Sequence, residues 1–258
     1  MLLAIDCGNT NVVFAVYDGD TQLGQWRAAT KTDRTSDEYG IWLTQLVERD
    51  GVKVSAITEA IVASVVPGKN FDLKRLCEKY FNCKPRFIGD ADVGLGAAVR
   101  VDNPKEVGAD RVINAIAAHA TYGGPLIVID FGTATTFDVV DKTGAYCGGC
   151  IAPGINLSME ALHMATAQLP RLQVVNPGQA PVIGTSTVAA MTSGVFWGYI
   201  GLIEGLVARI KAERGEKMVV VATGGLAPLF AESTAVIEHI DPDLTMRGLQ
   251  QVHKRNSK

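Results

Sequence analysis

Leu126-Ile127-Val128-Ile129-Asp130-Phe131-Gly132-Thr133-Ala134-Thr135-Thr136 repeats a figure already present at the N-terminus, Leu2-Leu3-Ala4-Ile5-Asp6-Cys7-Gly8-Asn9-Thr10. In each, four apolar residues of strand character run into an Asp, one further residue, a Gly, and then small hydroxyl or amide side chains. The copies lie 124 residues apart without a gap, close to half the chain. Beyond each, apolar and polar residues alternate again, over residues 12–17 and 137–140, as far as a polar turn at Asp18-Gly19-Asp20 or Asp141-Lys142-Thr143-Gly144. Each copy therefore reads as a β-hairpin with a glycine-bearing bend. One apolar run ending in Asp-x-Gly is a common way to finish a strand, but two in register at half the chain length point to duplication. Two similar domains would each present a carboxylate, a glycine and hydrogen-bonding side chains on a tight turn. That equipment suits a phosphate chain and its metal, because glycine admits backbone N–H groups, Thr and Asn donate, and Asp holds a hydrated cation.

A chain of 258 residues has room for two ordinary domains, each with a full core. The net charge of −3 gives no basic footprint for nucleic acid or an anionic membrane, and the locally basic end, His253-Lys254-Arg255 and Lys258, reads as a short solvated tail. Residues 172–203 carry no charge, yet Pro177, Pro181 and five glycines argue against a spanning helix. The second half of that stretch reads as a helix buried between domains or subunits. Asp6 interrupts the opening apolar run and no basic region precedes it, so no signal peptide is expected. An odd number of cysteines, five, with no export signal suits a reducing cytoplasm. Cys147-Gly148-Gly149-Cys150 lacks the partners of a zinc site, and its Gly-Gly centre is better explained by a close backbone approach.

Between the hairpins the pattern is α/β. Residues 22–29 suggest a third strand, followed by a polar loop over residues 30–34. Thr35 with Glu38 is a capping-box signature ahead of Tyr39, Trp42, Leu43, Leu46 and Val47 at helical spacing, a helix stopping at Gly51. Residues 60–66 are a buried strand ended by Pro67, residues 71–81 a helix and residues 86–88 a short strand. Asn103-Pro104-Lys105-Glu106 signals a helix start, which would place Gly108-Ala109-Asp110-Arg111 on its first turns and Gly108 inside it. From spacing alone Asp110 and Arg111 read as a dipole-matched acid and a surface ion pair; a glycine within the helix shifts that balance a little, since it marks close approach of another group. After the second hairpin come a bend at Gly148-Gly149, a helix over residues 156–167, a polar loop over 176–187, the charge-free helix, and a strand over 218–222. That strand ends in a third glycine turn, Thr223-Gly224-Gly225, after which a short helix and tail finish the chain. Neither a Gly-x4-Gly-Lys-Ser/Thr loop nor a helix-opening Gly-x-Gly-x-x-Gly is present.

Paired Asp-x-Gly hairpins with a late Gly-Gly turn resemble the acetate and sugar kinase, Hsp70 and actin superfamily. Within it, Asp6-Cys7-Gly8-Asn9-Thr10-Asn11, Asn103-Pro104 with Val107-Gly108-Ala109-Asp110-Arg111, Asp130-Phe131-Gly132-Thr133-Ala134-Thr135-Thr136 and Gly149-Cys150-Ile151-Ala152-Pro153-Gly154 resemble the type III pantothenate kinases. The resemblance covers nearly the whole chain. It implies two duplicated actin-like (ribonuclease H-like) α/β domains with mixed sheets, residues 1–115 and 116–258, and an ATP cleft between them. It also implies transfer of the ATP γ-phosphoryl group to the primary hydroxyl of pantothenate, the first step of coenzyme A synthesis.

By the same resemblance ATP is bound by Asp6, Cys7, Gly8, Asn9, Thr10, Asn11, Val12, Val13 and Thr133, with Asp6 holding Mg²⁺ through water. Asp110 accepts the hydroxyl proton; Val101, Gly108, Ala109, Asp110, Arg111 and Thr185 contact pantothenate; and Asp130 binds a monovalent cation, K⁺ or NH₄⁺. Val101 stands where the family often has Tyr, so one substrate contact departs from the pattern. A cytoplasmic homodimer is implied, which gives the charge-free helix a reason to be apolar all round. Two other functions fit the same residues: a kinase of another small hydroxy acid or sugar, and a non-catalytic regulator switched by nucleotide.

Overall fold

A computed structural model describes residues 1–31 and 33–257; Thr32, in the expected loop over residues 30–34, and Lys258, at the basic end, lie outside the described residues. The elements in order are β1 (Leu2–Cys7), β2 (Asn11–Asp18), β3 (Thr21–Ala29), α1 (Ser36–Arg49), β4 (Glu59–Ser64), α2 (Asn70–Tyr80), β5 (Pro85–Phe87) and α3 (Ala109–Tyr122). There follow β6 (Leu126–Phe131), β7 (Ala134–Val140), β8 (Tyr146–Pro153), α4 (Ile155–Met164), α5 (Thr187–Arg214), β9 (Val219–Thr223), α6 (Ala227–Ala231), β10 (His239–Ile240) and α7 (Leu244–Asn256). The chain forms two compact units, Met1–Ala117 together with Asp243–Lys258, and Ala118–Pro242.

Each unit holds a five-stranded sheet, in the orders β3-β2-β1-β4-β5 and β8-β7-β6-β9-β10. The first strand of each half is central, antiparallel to its hairpin partner and parallel to the later strand, so both sheets are mixed and share one topology. The hairpins differ by one residue: Asp6 pairs with Val13, but Asp130 pairs with Thr136. The ungapped repeat therefore holds for the strand and turn, and slips on the return strand.

In the first unit the sheet is buried on both faces, which is why β1 reads as a continuous apolar run rather than an alternation. Leu3, Ile5, Phe14 and Val16 pack with Tyr39, Leu43 and Val47 of α1 and Leu73 and Leu76 of α2. On the other face Leu2, Ala4, Ala15 and Ile61 meet Val112, Ile113 and Ile116 of α3 and Met246, Leu249 and Val252 of α7. The α1 start is the expected capping box, with Thr35 Oγ1 accepting the Glu38 N–H and Glu38 accepting the Thr35 N–H.

Four expectations need correction. Asn103-Pro104 does not open the helix: Pro104–Glu106 form one 3₁₀ turn, Asn103 Nδ2 donates to Glu106 Oε1 at 2.6 Å, and extended Val107 interrupts the chain before α3. Gly108 consequently precedes the helix, its carbonyl taking the N–H groups of Arg111 and Val112. Gly148-Gly149 is not a bend but a bulge within β8, where Gly148 has φ +91° and the register with β7 shifts. Finally, the basic end is the last turn of a 13-residue helix, which a strand, β10, precedes. Its apolar positions pack on the first sheet, and its polar ones are fixed as well: Gln250 Nε2 donates to Asp20 at 2.8 Å, Arg255 Nη1 to the Gly96 carbonyl at 2.9 Å, and Lys254 pairs with Asp20. Counting charges hid that spacing.

In the second unit α5 lays Phe196, Tyr199, Ile200, Ile203 and Val207 against the core formed by Ile127, Ile129, Phe137 and Val220. It is long and apolar enough to cross a membrane by length and composition, and one of its faces belongs to this core. Gly149 lies so close to the Phe137 carbonyl that a Cβ would overlap it, which bears out the close-approach reading of Gly148-Gly149. Cys147 and Cys150 both pack on the same core as free thiols.

Candidate active site

The turn between β1 and β2 is closed by the Gly8 N–H donating to the Asn11 carbonyl at 3.0 Å. Asp6 is half-buried at the end of β1, whereas Asn9 and Thr10 are exposed at the tip. The turn is braced from behind: Thr30 N donates to the Thr10 carbonyl at 2.8 Å and Thr30 Oγ1 to the Gly8 carbonyl at 2.7 Å. Its carbonyls thus point inward to the brace, and the exposed tip is left to Asn9 and Thr10. Cys7 and Val12 are wholly buried, so they support the turn with their main chain rather than with side chains. Burial pushes the Cys7 thiol up to about 11, which keeps it a neutral packing group.

Asp110 sits in the first turn of α3. Its Oδ1 accepts the Arg111 N–H at 2.9 Å, and a Cβ on Gly108 would stand 2.5 Å from the same oxygen. A side chain at position 108 would therefore displace the carboxylate beside it. Desolvation raises the pKa of Asp110, opposed by the Arg111 N–H and the Arg111 charge. The helix start and the first turn meet at Val65: its N–H donates to the Cys7 carbonyl at 3.0 Å, and its side chain lies 3.7 Å from the Gly108 Cβ position. The first unit so brings Asp6, Gly8, Gly108 and Asp110 to the carboxyl ends of β1 and β4. Val101 lies half-buried in a bend of the loop before them.

In the second unit Gly132 N donates to the Ala134 carbonyl at 3.0 Å, and Gly154 N to the Thr133 carbonyl at 3.1 Å. Thr133 is exposed at the tip and Asp130 half-buried at its base. Gly224, with φ +90°, closes over Asp130: a Cβ there would stand 2.8 Å from Asp130 Oδ1 and 2.6 Å from the Phe131 carbonyl oxygen. Only glycine leaves that corner, lined by a carboxylate and a main-chain carbonyl, open. Tyr199 of α5 reaches under the turn, its hydroxyl bonded to Thr135 Oγ1 and, at 3.3 Å, to the Pro153 carbonyl. Thr185 is exposed just before α5, in a loop tied down by Ser193 Oγ to the Val182 carbonyl at 2.6 Å. Among the described residues no three His, Cys, Asp or Glu side chains converge as a metal cage. One carboxylate per turn suits a cation shared with substrate oxygens and water.

The family model described as type III pantothenate kinase matches residues 2–209. The chain belongs to the type III pantothenate kinase family. A type III pantothenate kinase of Paramagnetospirillum magneticum is 64% identical over 257 residues, covering 100% of this chain and 98% of its own length. One of Rhodospirillum rubrum is 61% identical over 256 residues, covering 99% of both. The activator of the 2-hydroxyisocaproyl-CoA dehydratase from Clostridium difficile, solved with bound ADPNP, superposes with a TM-score of 0.57 over 99% of this chain and 95% of its own. At 13% identity that likeness concerns the fold, which is the actin-like, sugar-kinase arrangement of two mixed-sheet domains expected from the sequence. The enzyme class, an ATP-dependent kinase, stands with the family.

For this pantothenate kinase family member, Gly224 and Asp130 each carry a sequence signal as glycine-bearing turns, while their pairing does not. Tyr199 gave no signal, because a tyrosine in an apolar helix has no distinguishing pattern. Its role depends on which strand end its helix reaches.

Proposed function

We propose that this chain transfers the γ-phosphoryl group of ATP to the primary hydroxyl of pantothenate, giving 4′-phosphopantothenate for coenzyme A synthesis. The observation that carries the reading is the half-buried Asp110 carboxylate at the start of α3, joined through Val65 to the strand end that bears the Asp6 turn. In phosphoryl transfer the bond to the leaving oxygen is largely broken before the attacking hydroxyl loses its proton, so a carboxylate serves as a late base. The raised pKa of Asp110 makes it a somewhat better one. Residues 6–13 and Thr133 take the nucleotide; Val101, Gly108, Ala109, Arg111 and Thr185 surround the acceptor, with the planar fork of Arg111 suited to the pantothenate carboxylate. Positioning of the hydroxyl in line with the γ-phosphorus supplies much of the rate.

The donor sets fit the two cations. Asp6, with the Thr10 hydroxyl and Asn9 amide on one turn, offers hard oxygens to the water shell of Mg²⁺, which neutralises the phosphates when bound. Asp130 with the Phe131 carbonyl in the corner kept open by Gly224 suits a monovalent cation, K⁺ or NH₄⁺. A homodimer is supported by α5, where Cβ positions at Gly194, Gly198 and Gly201 meet nothing within 4 Å, an open strip that admits a second helix. Five free thiols suit a cytoplasmic setting.

The test is the purified protein with ATP, Mg²⁺ and K⁺, offered pantothenate beside a panel of hydroxy acids and sugars, with products read by mass. Phosphorylated pantothenate as the preferred product is expected. Preference for another acceptor, or nucleotide binding without transfer to any, would hand the site to one of the two alternative functions.

A further inference from the structure

Between β5 and the 3₁₀ turn at Pro104 the chain forms no regular element, yet from Val93 to Val101 odd-numbered residues turn inward and even-numbered ones outward. Val93, Leu95, Ala97 and Val99 join the apolar cluster of Val112, Ile116, Met246 and Leu249. A strap in such extended register must find partners for its main-chain groups. Two of its residues find them on the last turn of α7. The Gly94 N–H donates to Asn256 Oδ1 at 2.8 Å and Asn256 Nδ2 donates back to the Gly94 carbonyl at 2.9 Å, as a neighbouring strand would. Arg255 Nη1 donates to the Gly96 carbonyl at 2.9 Å.

Asn256 is itself held in place. Its second amide hydrogen goes to the Val252 carbonyl at 2.8 Å, and the three bonds together fix which way the amide faces. The end of α7 is tied to the sheet, with His253 Nε2 3.2 Å from Glu59 of β4 and Arg86 Nη1 of β5 donating to Ser257 Oγ at 3.1 Å. Gly96 fits from the strap side: its φ is +73°, and a Cβ there would overlap the Arg255 guanidinium. Closing the helix end needs only the bond to Val252. The two bonds to Gly94, 162 residues away in sequence, call for another reason. The strap runs on to Val101, half-buried in the bend before Asn103-Pro104, and Val107 and Ala109 beyond it pack on the same apolar cluster.

We propose that Asn256 is a positioning residue for the acceptor: through Gly94 it fixes the register of the strap over residues 93–101, and thereby the place of Val101 in the pantothenate site. A slip of one residue in an extended segment turns every inward side chain outward, so a strap pinned at Gly94 and Gly96 keeps Val101 on the acceptor side. The bonds lie at the surface, where water can replace them. Their loss therefore costs little stability and shows instead as lost register. The residues that take the nucleotide lie on other segments and do not depend on the strap. This proposal rests on the reading that Val101 contacts pantothenate.

Steady-state kinetics with ATP and pantothenate varied in turn test it, together with hydrogen exchange at the Gly94 amide. Asn256→Ala should raise the KM for pantothenate about 3–10-fold, the worth of one hydrogen bond, with kcat and the KM for ATP changed less than about twofold. The Gly94 amide should exchange faster in the same variant. Asn256→Asp keeps the acceptor oxygen but sets a carboxylate against the Gly94 and Val252 carbonyls, and should raise the same KM. Arg255→Met, which removes the second pin, should raise it by about twofold. An unchanged KM for pantothenate in folded Asn256→Ala, equal rises for pantothenate and ATP, or an undisturbed Gly94 amide overturns the proposal. If Asn256→Ala does not fold, Arg255→Met decides, since that side chain is exposed, and an unchanged KM for pantothenate there overturns it. Failure of the underlying reading looks different: Val101→Gly would then leave the KM for pantothenate where it was, or the unaltered protein would phosphorylate no pantothenate.

Discussion

Asp110 Oδ1 accepts the main-chain N–H of Arg111 at 2.9 Å, so the carboxylate is tethered to its own helix while burial works against its charge. Asp110→Asn keeps the shape and removes the base. It should lower kcat by about 10²–10⁴-fold with nucleotide affinity retained, measured by turnover and calorimetry. A loss under about tenfold would remove Asp110 from the role of base.

The same shift sets a pH dependence. A carboxyl whose folded pKa is raised favours the protonated form in the fold, so its contribution to stability is present at low pH and lost as pH rises through the folded value. Asp110→Asn should therefore be as stable as the parent protein, or more so, at neutral pH, in chemical denaturation. Activity runs the other way: the acid limb of kcat/KM should lie above the ordinary Asp range and be missing from the residual activity of Asp110→Asn.

Gly224 has φ +90° and no room for a Cβ between Asp130 Oδ1 and the Phe131 carbonyl. Gly224→Ala should raise the K⁺ concentration needed for half-maximal activity, and Asp130→Asn should do so before ATP binding is abolished. Potassium titrations of activity, with calorimetric ATP binding alongside, check both. Unaltered cation dependence in both variants would separate this corner from the cation.

Val101 is half-buried in the bend before Asn103-Pro104. Val101→Tyr supplies the ring and hydroxyl of the family pattern and should lower the KM for pantothenate by about 3–10-fold, the worth of one hydrogen bond with little change in the KM for ATP. Equal changes in both would point to a general disturbance of the loop.

Tyr199, 5% exposed, joins α5 to the second turn through Thr135 and the Pro153 carbonyl. Tyr199→Phe leaves the buried Thr135 hydroxyl without that partner and should cost about 1–3 kcal/mol in urea unfolding, seen as a lower midpoint at unchanged slope.

The sequence by itself determined the duplicated hairpins, the α/β order, the α1 capping box and the family, because each is written in local patterns: apolar runs, Asp-x-Gly turns, and Thr35 three residues before Glu38. It did not determine that Gly108 precedes its helix, since the cap signal at Asn103 opens only a 3₁₀ turn, which extended Val107 ends. Nor could it show that the basic end is a helix on the first sheet, because burial of Leu249 and His253 depends on Ile113 and Glu59, far away in sequence. Gly224 against Asp130 and Tyr199 beneath Thr135 were decided only by tertiary structure. Such contacts join residues through the strand order of a sheet, and a buried charge or a forbidden Cβ acquires its meaning from whichever distant atom the fold sets beside it.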